Sequence, residues 1–203
     1  MFLTTEEFYG SSLLLLQQAE GQLKNDLTEY SNRHKQEGSL DGIQSICSRI
    51  KTPESMIKKL QMRGLSTDLT SALYLVHDAL GIRVICSFTE GVYHLAEYLR
   101  KQSSFQILQE KDYISYPKAN GYRSYHMILQ FCEGRTSGLF AEVQIRTIAQ
   151  DFWASLEHQI KYKHQIPHEA LIQQELKRCA DEIASLDLTM QTIQELIHPN
   201  SSD

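Results

Sequence analysis

Two neighbouring runs of alternating residues constrain this chain more than any other feature. From Leu139 to Arg146, the residues Leu139, Ala141, Val143 and Ile145 fall on one side, and Phe140, Glu142, Gln144 and Arg146 on the other. Just upstream, Tyr125, Met127, Leu129 and Phe131 alternate with Ser124, His126, Ile128 and Gln130. A period of two sends successive side chains to opposite faces of a strand, so each run predicts a strand with one apolar face. Taken singly, either polar face reads as solvated surface. If the two strands pair, His126, Glu142, Gln144 and Arg146 share one face of a sheet, and that reads as a site.

The stretch Lys111-Asp112-Tyr113-Ile114-Ser115-Tyr116-Pro117-Lys118-Ala119-Asn120-Gly121-Tyr122-Arg123-Ser124-Tyr125-His126 begins as the end of one strand and finishes as the start of the next. Between them lies a loop with a proline, an Asn-Gly turn signal, cations and aromatics. Lys111, Lys118, Arg123 and Arg146 suit phosphates, because ammonium and guanidinium donors make charge-assisted bonds to phosphate oxygens. Tyr122 offers a flat face for a base. Glu142 suits a metal ion or a proton in transit.

Asn-Gly-Tyr-Arg-Ser-Tyr-His (120–126) followed by Glu-Val-Gln-Ile-Arg-Thr (142–147) resembles the synthetase domain of the (p)ppGpp synthetases. With its length, the chain is most similar to the single-domain small alarmone synthetases, also called GTP pyrophosphokinases. The resemblance covers about residues 43–165, and two long motifs in the right order make it specific. It implies an α+β fold in which helices flank a mixed β-sheet, similar to the nucleotidyltransferase core. It also implies transfer of pyrophosphate from ATP to the 3′-hydroxyl of GTP or GDP, with Mg²⁺, in a homo-oligomer that the family pattern makes a tetramer.

The same resemblance distributes roles. Arg49, Lys51, Ser55, Lys59 and Arg83 are expected at ATP. Lys111, Lys118, Tyr122, Arg123, His126, Gln144 and Asp151 are expected at GTP or GDP. Asp78 and Glu142 are expected at the metal ion, with Glu142 also the catalytic base. Asp78-Ala79-Leu80-Gly81-Ile82-Arg83 satisfies the family's Asp-x-x-Gly-x-Arg pattern. Read without the resemblance, the basic cluster at 49–63 is a solvated helix face. Asp151 is then an acid in a first helical turn, where the helix dipole favours it. Lys58 and Arg63 keep the solvated reading in either case.

The remaining segments fit one 203-residue domain with a core at 43–165 between terminal helical extensions. Thr4-Thr5-Glu6-Glu7 has the capping-box form and opens a helix expected to run to about Lys35. Helices are also expected from Pro53, over 69–76, over 91–102 and after Thr147, with a buried strand over 81–88. Over 168–198, Ile172, Leu176, Cys179, Ile183, Leu186, Met190, Ile193 and Ile197 keep an unbroken four-three alternation, a coiled-coil-like seam. Either it packs against the first helix of the same chain or it joins subunits.

Several classes are disfavoured. No apolar run reaches the roughly 20 residues of a membrane span. Leu13–Leu16 beside Glu6, Glu7 and Glu20 does not form a signal peptide. Four scattered cysteines, three in apolar contexts that predict buried thiols, indicate a cytoplasmic compartment. A net charge of −5 argues against a general nucleic-acid coat, and no nucleic-acid partner is expected. His77-Asp78 lacks the further ligands of a metal-dependent phosphohydrolase, and His158, His164 and His168 lack a zinc-binding context. A different nucleotidyltransferase would carry a Gly-Ser followed by paired Asp residues, which is absent. A non-catalytic nucleotide or RNA sensor could dispense with Asp78 and Glu142, and both are present.

Overall fold

The computed structural model describes residues 3–36, 39, 42–161 and 168–197. Its helices are α1 (Thr5–Tyr9), α2 (Ser12–Gln36), α3 (Pro53–Met62), α4 (Leu69–Tyr74), α5 (Thr89–Arg100), α6 (Ile148–Lys161) and α7 (Glu169–Ile197). The strands are β1 (Ile43–Ile50), β2 (Leu80–Cys86), β3 (Phe105–Asp112), β4 (Tyr125–Phe131) and β5 (Phe140–Thr147), with a short 3₁₀ turn at Gly134–Thr136. They form one five-stranded sheet in the order β1-β2-β5-β4-β3, parallel only between β2 and β5. The expected helix-flanked mixed sheet is the fold observed.

The apolar face of the sheet carries Ile82, Val84, Met127, Leu129, Val143 and Ile145. These join Leu16, Leu23 and Leu27 of α2, Met56 and Leu60 of α3, and Leu95 and Leu99 of α5 in one core. Each such side chain contributes about 1.5–3 kcal/mol when fully buried, so this layer fixes which face of every strand is left for chemistry. The alternation read from the sequence therefore sets the orientation of the polar face.

The expected single N-terminal helix is two. Thr4 closes the capping box with Glu7, but Gly10 at φ 52°, ψ −134° ends α1, and α2 restarts at Ser12. The left-handed φ is open to glycine at little cost and stops the helical ladder. Glu20, which breaks the apolar spacing, turns to Lys24 and to Ser48 of β1, while Ala19 takes the core position. At the start of α3, Thr52 caps and Pro53 occupies the first turn.

The C-terminal helix departs from expectation in what it packs against. It lies on α6 and α5, not on the first helices. Ala180, Asp187 and Gln194 are its buried residues, and Leu176 and Ile183 pack beside Trp153 and Ala154 of α6. Much of the predicted seam points away from the chain, with Leu186 53% exposed and Met190, Ile193 and Ile197 exposed beside it. The cysteine expectation is also corrected. Only Cys86 is buried, because Cys47 lies on an edge strand, Cys132 follows the end of β4, and Cys179 sits on the outer face of α7.

Candidate active site

Strand pairing carries the site residues to one face. Cys47 on β1 pairs with Arg83 on β2, Arg83 with Gln144 on β5, Gln144 with His126 on β4, and His126 with Lys111 on β3. One row therefore crosses all five strands. The row below runs Arg49, Gly81, Glu142, Ile128. In-register neighbours lie roughly 5 Å apart on a common face. A cleft of about 200 Å³ opens over the β1–β2–β5 side, lined among others by Arg49, Lys51, Asp78, Arg83, Glu142 and Gln144.

In this first half, charge is concentrated around Asp78. The Lys51 and Lys59 ammonium groups both bind its Oδ2 atom, and its buried Oδ1 has no hydrogen-bond partner. Burial pushes the Lys51 ammonium below its usual value, against the pull of Asp78. Tyr9 hydrogen-bonds the Lys51 carbonyl at 2.8 Å, and burial and the Asp78 charge push its own hydroxyl upward. Ser55 stays at the exposed start of α3, its Oγ accepting from Thr52 at 2.9 Å, outside the residues that line the cleft. Lys58 and Arg63 are exposed, as expected.

Glu142 stands at the junction with the second half. Gln144 donates to its Oε2 at 3.0 Å, and His126 Nδ1 is 3.6 Å from its Oε1. Burial alone would raise this carboxyl, but His126, Gln144 and Lys59 outweigh it and hold the group down at about 2. The brace between Glu142 and Arg146 that one face of a strand suggests is not made. Four residues of strand span about 13 Å, and Arg146 finds other partners.

Those partners define the second half. Arg146 is only 4% exposed and donates to Asp151 at 3.0 Å, Tyr122 at 2.6 Å, Gln144 at 3.0 Å and Ser124 at 3.3 Å. Its guanidinium thus organises the site and is not free for a phosphate, contrary to its residue-type reading. Tyr122 Oη also meets His126 Nε2 at 2.8 Å, and Asp151 lies 3.3 Å from Arg83. Lys118 places its ammonium 4.6 Å and 4.7 Å from the ring centres of Tyr113 and Tyr122. Asn120 donates to Glu157 at 3.0 Å, tying the turn to α6.

Arg123 is the expected residue that the fold directs elsewhere. It donates to the Ile114 carbonyl at 2.8 Å, approaches Asp181 of α7 at 3.7 Å, and lines a separate cleft beside Tyr93, Gln150 and Asp187. Period two puts it on the opposite side of the chain from Tyr122 and Ser124. His77 is a turn residue at φ 62° whose ring meets Phe140, and His164 lies outside the described residues. Among the described residues no cluster of three or more His, Cys, Asp or Glu side chains is arranged as a metal site. Mg²⁺ is commonly held by one or two carboxylates and substrate phosphates, which the partnerless Asp78 oxygen and the ionised Glu142 fit.

Sequence reasoning missed Thr147 and Gln150. Gln150 N bonds Thr147 Oγ1 at 3.1 Å and Thr147 N bonds Gln150 Oε1 at 3.2 Å, a reciprocal capping box where β5 turns into α6. The Thr-x-x-Gln spacing was the available signal.

Comparison with known proteins agrees with this architecture. The pattern of the region found in RelA and SpoT proteins matches residues 48–167. The GTP pyrophosphokinase YwaC of Bacillus subtilis is 35% identical over 192 residues, covering 92% of this chain and 90% of that protein. A GTP pyrophosphokinase family protein from Streptococcus pneumoniae superposes with a TM-score of 0.83 at 32% identity, over 97% of both chains. The small alarmone synthetase 1 of B. subtilis, bound to its product pppGpp, superposes with a TM-score of 0.81 at 28% identity, over 91% of this chain and 95% of that one.

Proposed function

The chain belongs to the family defined by the RelA and SpoT proteins, and from that premise we propose that it is a GTP pyrophosphokinase, moving pyrophosphate from ATP to the 3′-hydroxyl of GTP or GDP. The products are (p)ppGpp and AMP. The observation that carries this reading is the shared polar face of the sheet, with a cation-rich cleft at one end, an aromatic wall at the other and Glu142 between them.

Phosphoryl-type transfer asks mainly for positioning and charge neutralisation. Arg49, Lys51, Lys59 and Arg83 supply the cations for the triphosphate, with Ser55 at the rim. Tyr122, Lys118, His126, Lys111, Gln144 and Asp151 supply stacking and polar contacts for the guanine nucleotide. Arg123 acts from behind the acceptor loop. Asp78 and Glu142 are the residues that would hold Mg²⁺, which when bound offsets charge on the transferring phosphates. Glu142, held ionised in the free protein, suits a cation ligand more readily than a proton acceptor, whose pKa works best near the operating pH. Deprotonation of the 3′-hydroxyl by Glu142 therefore requires its pairing with His126 to loosen.

The outward seam of α7 supports a homo-oligomer, because exposed Leu186, Met190, Ile193 and Ile197 follow one another along one helix face, as the apolar stripe of an interaction face does. No helix among the described residues is long and apolar enough to cross a membrane.

The test is incubation with ATP, GTP and Mg²⁺ while AMP is followed. AMP release that needs both nucleotides is expected. Nucleotide binding without AMP release would make the chain a sensor on the same fold.

A further inference from the structure

The family pattern ends at residue 167, yet the second half of the site is built against residues beyond it. Asp187, 9% exposed on α7, reaches back to the β5–α6 corner, where its Oδ2 accepts from Thr147 Oγ1 at 2.8 Å and Gln150 Nε2 at 3.3 Å. Thr147 is fully buried and Gln150 nearly so. Their neighbours in sequence are Arg146 and Asp151, the pair that holds Tyr122, Gln144 and Arg83 in place.

About two turns earlier on α7, Ala180 presses on the acceptor loop itself. Gly121 has φ 88°, and a Cβ added there would stand 2.6 Å from the Ala180 Cβ. The loop backbone and α7 thus approach as closely as two small residues allow. Trp153 donates to the Leu176 carbonyl at 2.8 Å, and Tyr122 packs in the same cluster as Ala180 and Ile183. By contrast, Asp78 just before β2 and its partners, Lys51 just after β1 and Lys59 on α3, make none of these contacts.

We propose that α7 is a positioning element chiefly for the guanine-nucleotide half, with Asp187 its positioning residue acting through Thr147 and Gln150 on Arg146 and Asp151, and Ala180 acting through Gly121 on Tyr122, the other half being reached only through the Asp151–Arg83 pair. This rests on the functional reading above for which nucleotide lies where. A buried carboxylate whose single oxygen gathers two donors fixes the corner in both rotation and depth, and a polar network of this kind specifies one arrangement when fully satisfied. The device also ties the acceptor pocket to a helix whose other face is the exposed apolar seam.

The experiment compares wild type, Asp187→Ala, Asp187→Asn and Ala180→Leu in the full chain. Michaelis constants for GTP and ATP come from AMP release, and GTP and non-hydrolysable ATP analogue affinities from calorimetry. Asp187→Ala should raise the GTP KM about five- to tenfold with the ATP KM within twofold. Asp187→Asn should restore most of this, because one carbonyl oxygen serves both donors. Ala180→Leu, crowding Gly121, should give the same GTP-selective loss and keeps the test open if Asp187→Ala does not fold. Equal losses for both nucleotides, unchanged GTP affinity in folded Asp187→Ala, or an Asn variant no better than Ala would overturn the proposal. If wild type releases no AMP, the functional reading falls, while calorimetry still reports whether α7 governs GTP binding selectively.

Discussion

The two halves of the cleft are held in different ways. Around Asp78, two lysines converge on one carboxylate, and the cations of this half come from the 35 consecutive residues Arg49 to Arg83. Around Arg146, the contacts are a chain of neutral and charged hydrogen bonds through Tyr122, Gln144, Ser124 and Asp151, backed by a helix some forty residues further on. The first arrangement is charge paired with charge, which an incoming polyphosphate can take over by exchanging partners. The second is a preformed wall whose geometry is set before any ligand arrives. A donor that is bound through its charge and an acceptor that must be aimed would call for this division.

Glu142 belongs to both halves, so its removal should have the largest effect. Glu142→Gln keeps the shape and much of the hydrogen bonding, and turnover should fall by about 10²–10⁴-fold. Single-turnover AMP release at saturating ATP, GTP and Mg²⁺ measures this, in a variant that still folds and binds both nucleotides. A folded variant keeping a tenth of the rate would move the chemistry away from this residue.

The next effect concerns the outer face of α7. Leu186→Glu puts a charge into the seam, at a cost of several kcal/mol if a partner covers it. Light scattering should then show smaller particles than wild type. Since Leu186 is half exposed within one chain, unchanged mass would mean that the seam faces solvent.

A third effect follows from the acidity of Glu142. Its carboxyl lies below its ordinary value in the folded state, so the stability it contributes is fully present above about 4.5 and is lost as pH falls towards about 2. Across that window wild type should lose on the order of 3 kcal/mol relative to Glu142→Gln, at about 1.4 kcal/mol for each pH unit between the two values. Parallel acid-unfolding curves for the two proteins would show that His126 and Gln144 do not hold the charge.

The smallest expected effect is the most selective. Tyr122→Ala should raise the GTP KM about tenfold, within the roughly 1–3 kcal/mol of base stacking, with ATP binding little changed. Equal losses would make the ring a packing residue beside Trp153.

What was legible in the sequence follows the same division. The alternation in β4 and β5 fixed the shared face, and the observed pairing of His126 with Gln144 follows from it. Asp78 and Lys51 were singled out through the family motifs, since the basic cluster at 49–63 read alone is a solvated helix face. The inner face of α7 was not legible. Hydropathy marked a seam of which Leu176 and Ile183 dock but Leu186 and Met190 do not, and the buried residues Ala180, Asp187 and Gln194 lie outside it. A buried aspartate is recognisable only once Thr147 and Gln150, 40 and 37 residues away, are seen to satisfy it. Likewise, Arg123 reads as one more cation beside Tyr122, and only the turn into β4 shows that it faces Asp181.

The central claim is that a two-phosphate unit crosses from one half of the cleft to the other. ATP labelled with ³²P at the β-phosphate, mixed with GTP, Mg²⁺ and the protein, tests it directly. Pyrophosphate transfer predicts that the label moves onto the guanine nucleotide while unlabelled AMP accumulates in equal amount. Label retained in ADP would mean transfer of the γ-phosphate alone, and label released as free pyrophosphate would mean nucleotidyl transfer; either result would contradict the account.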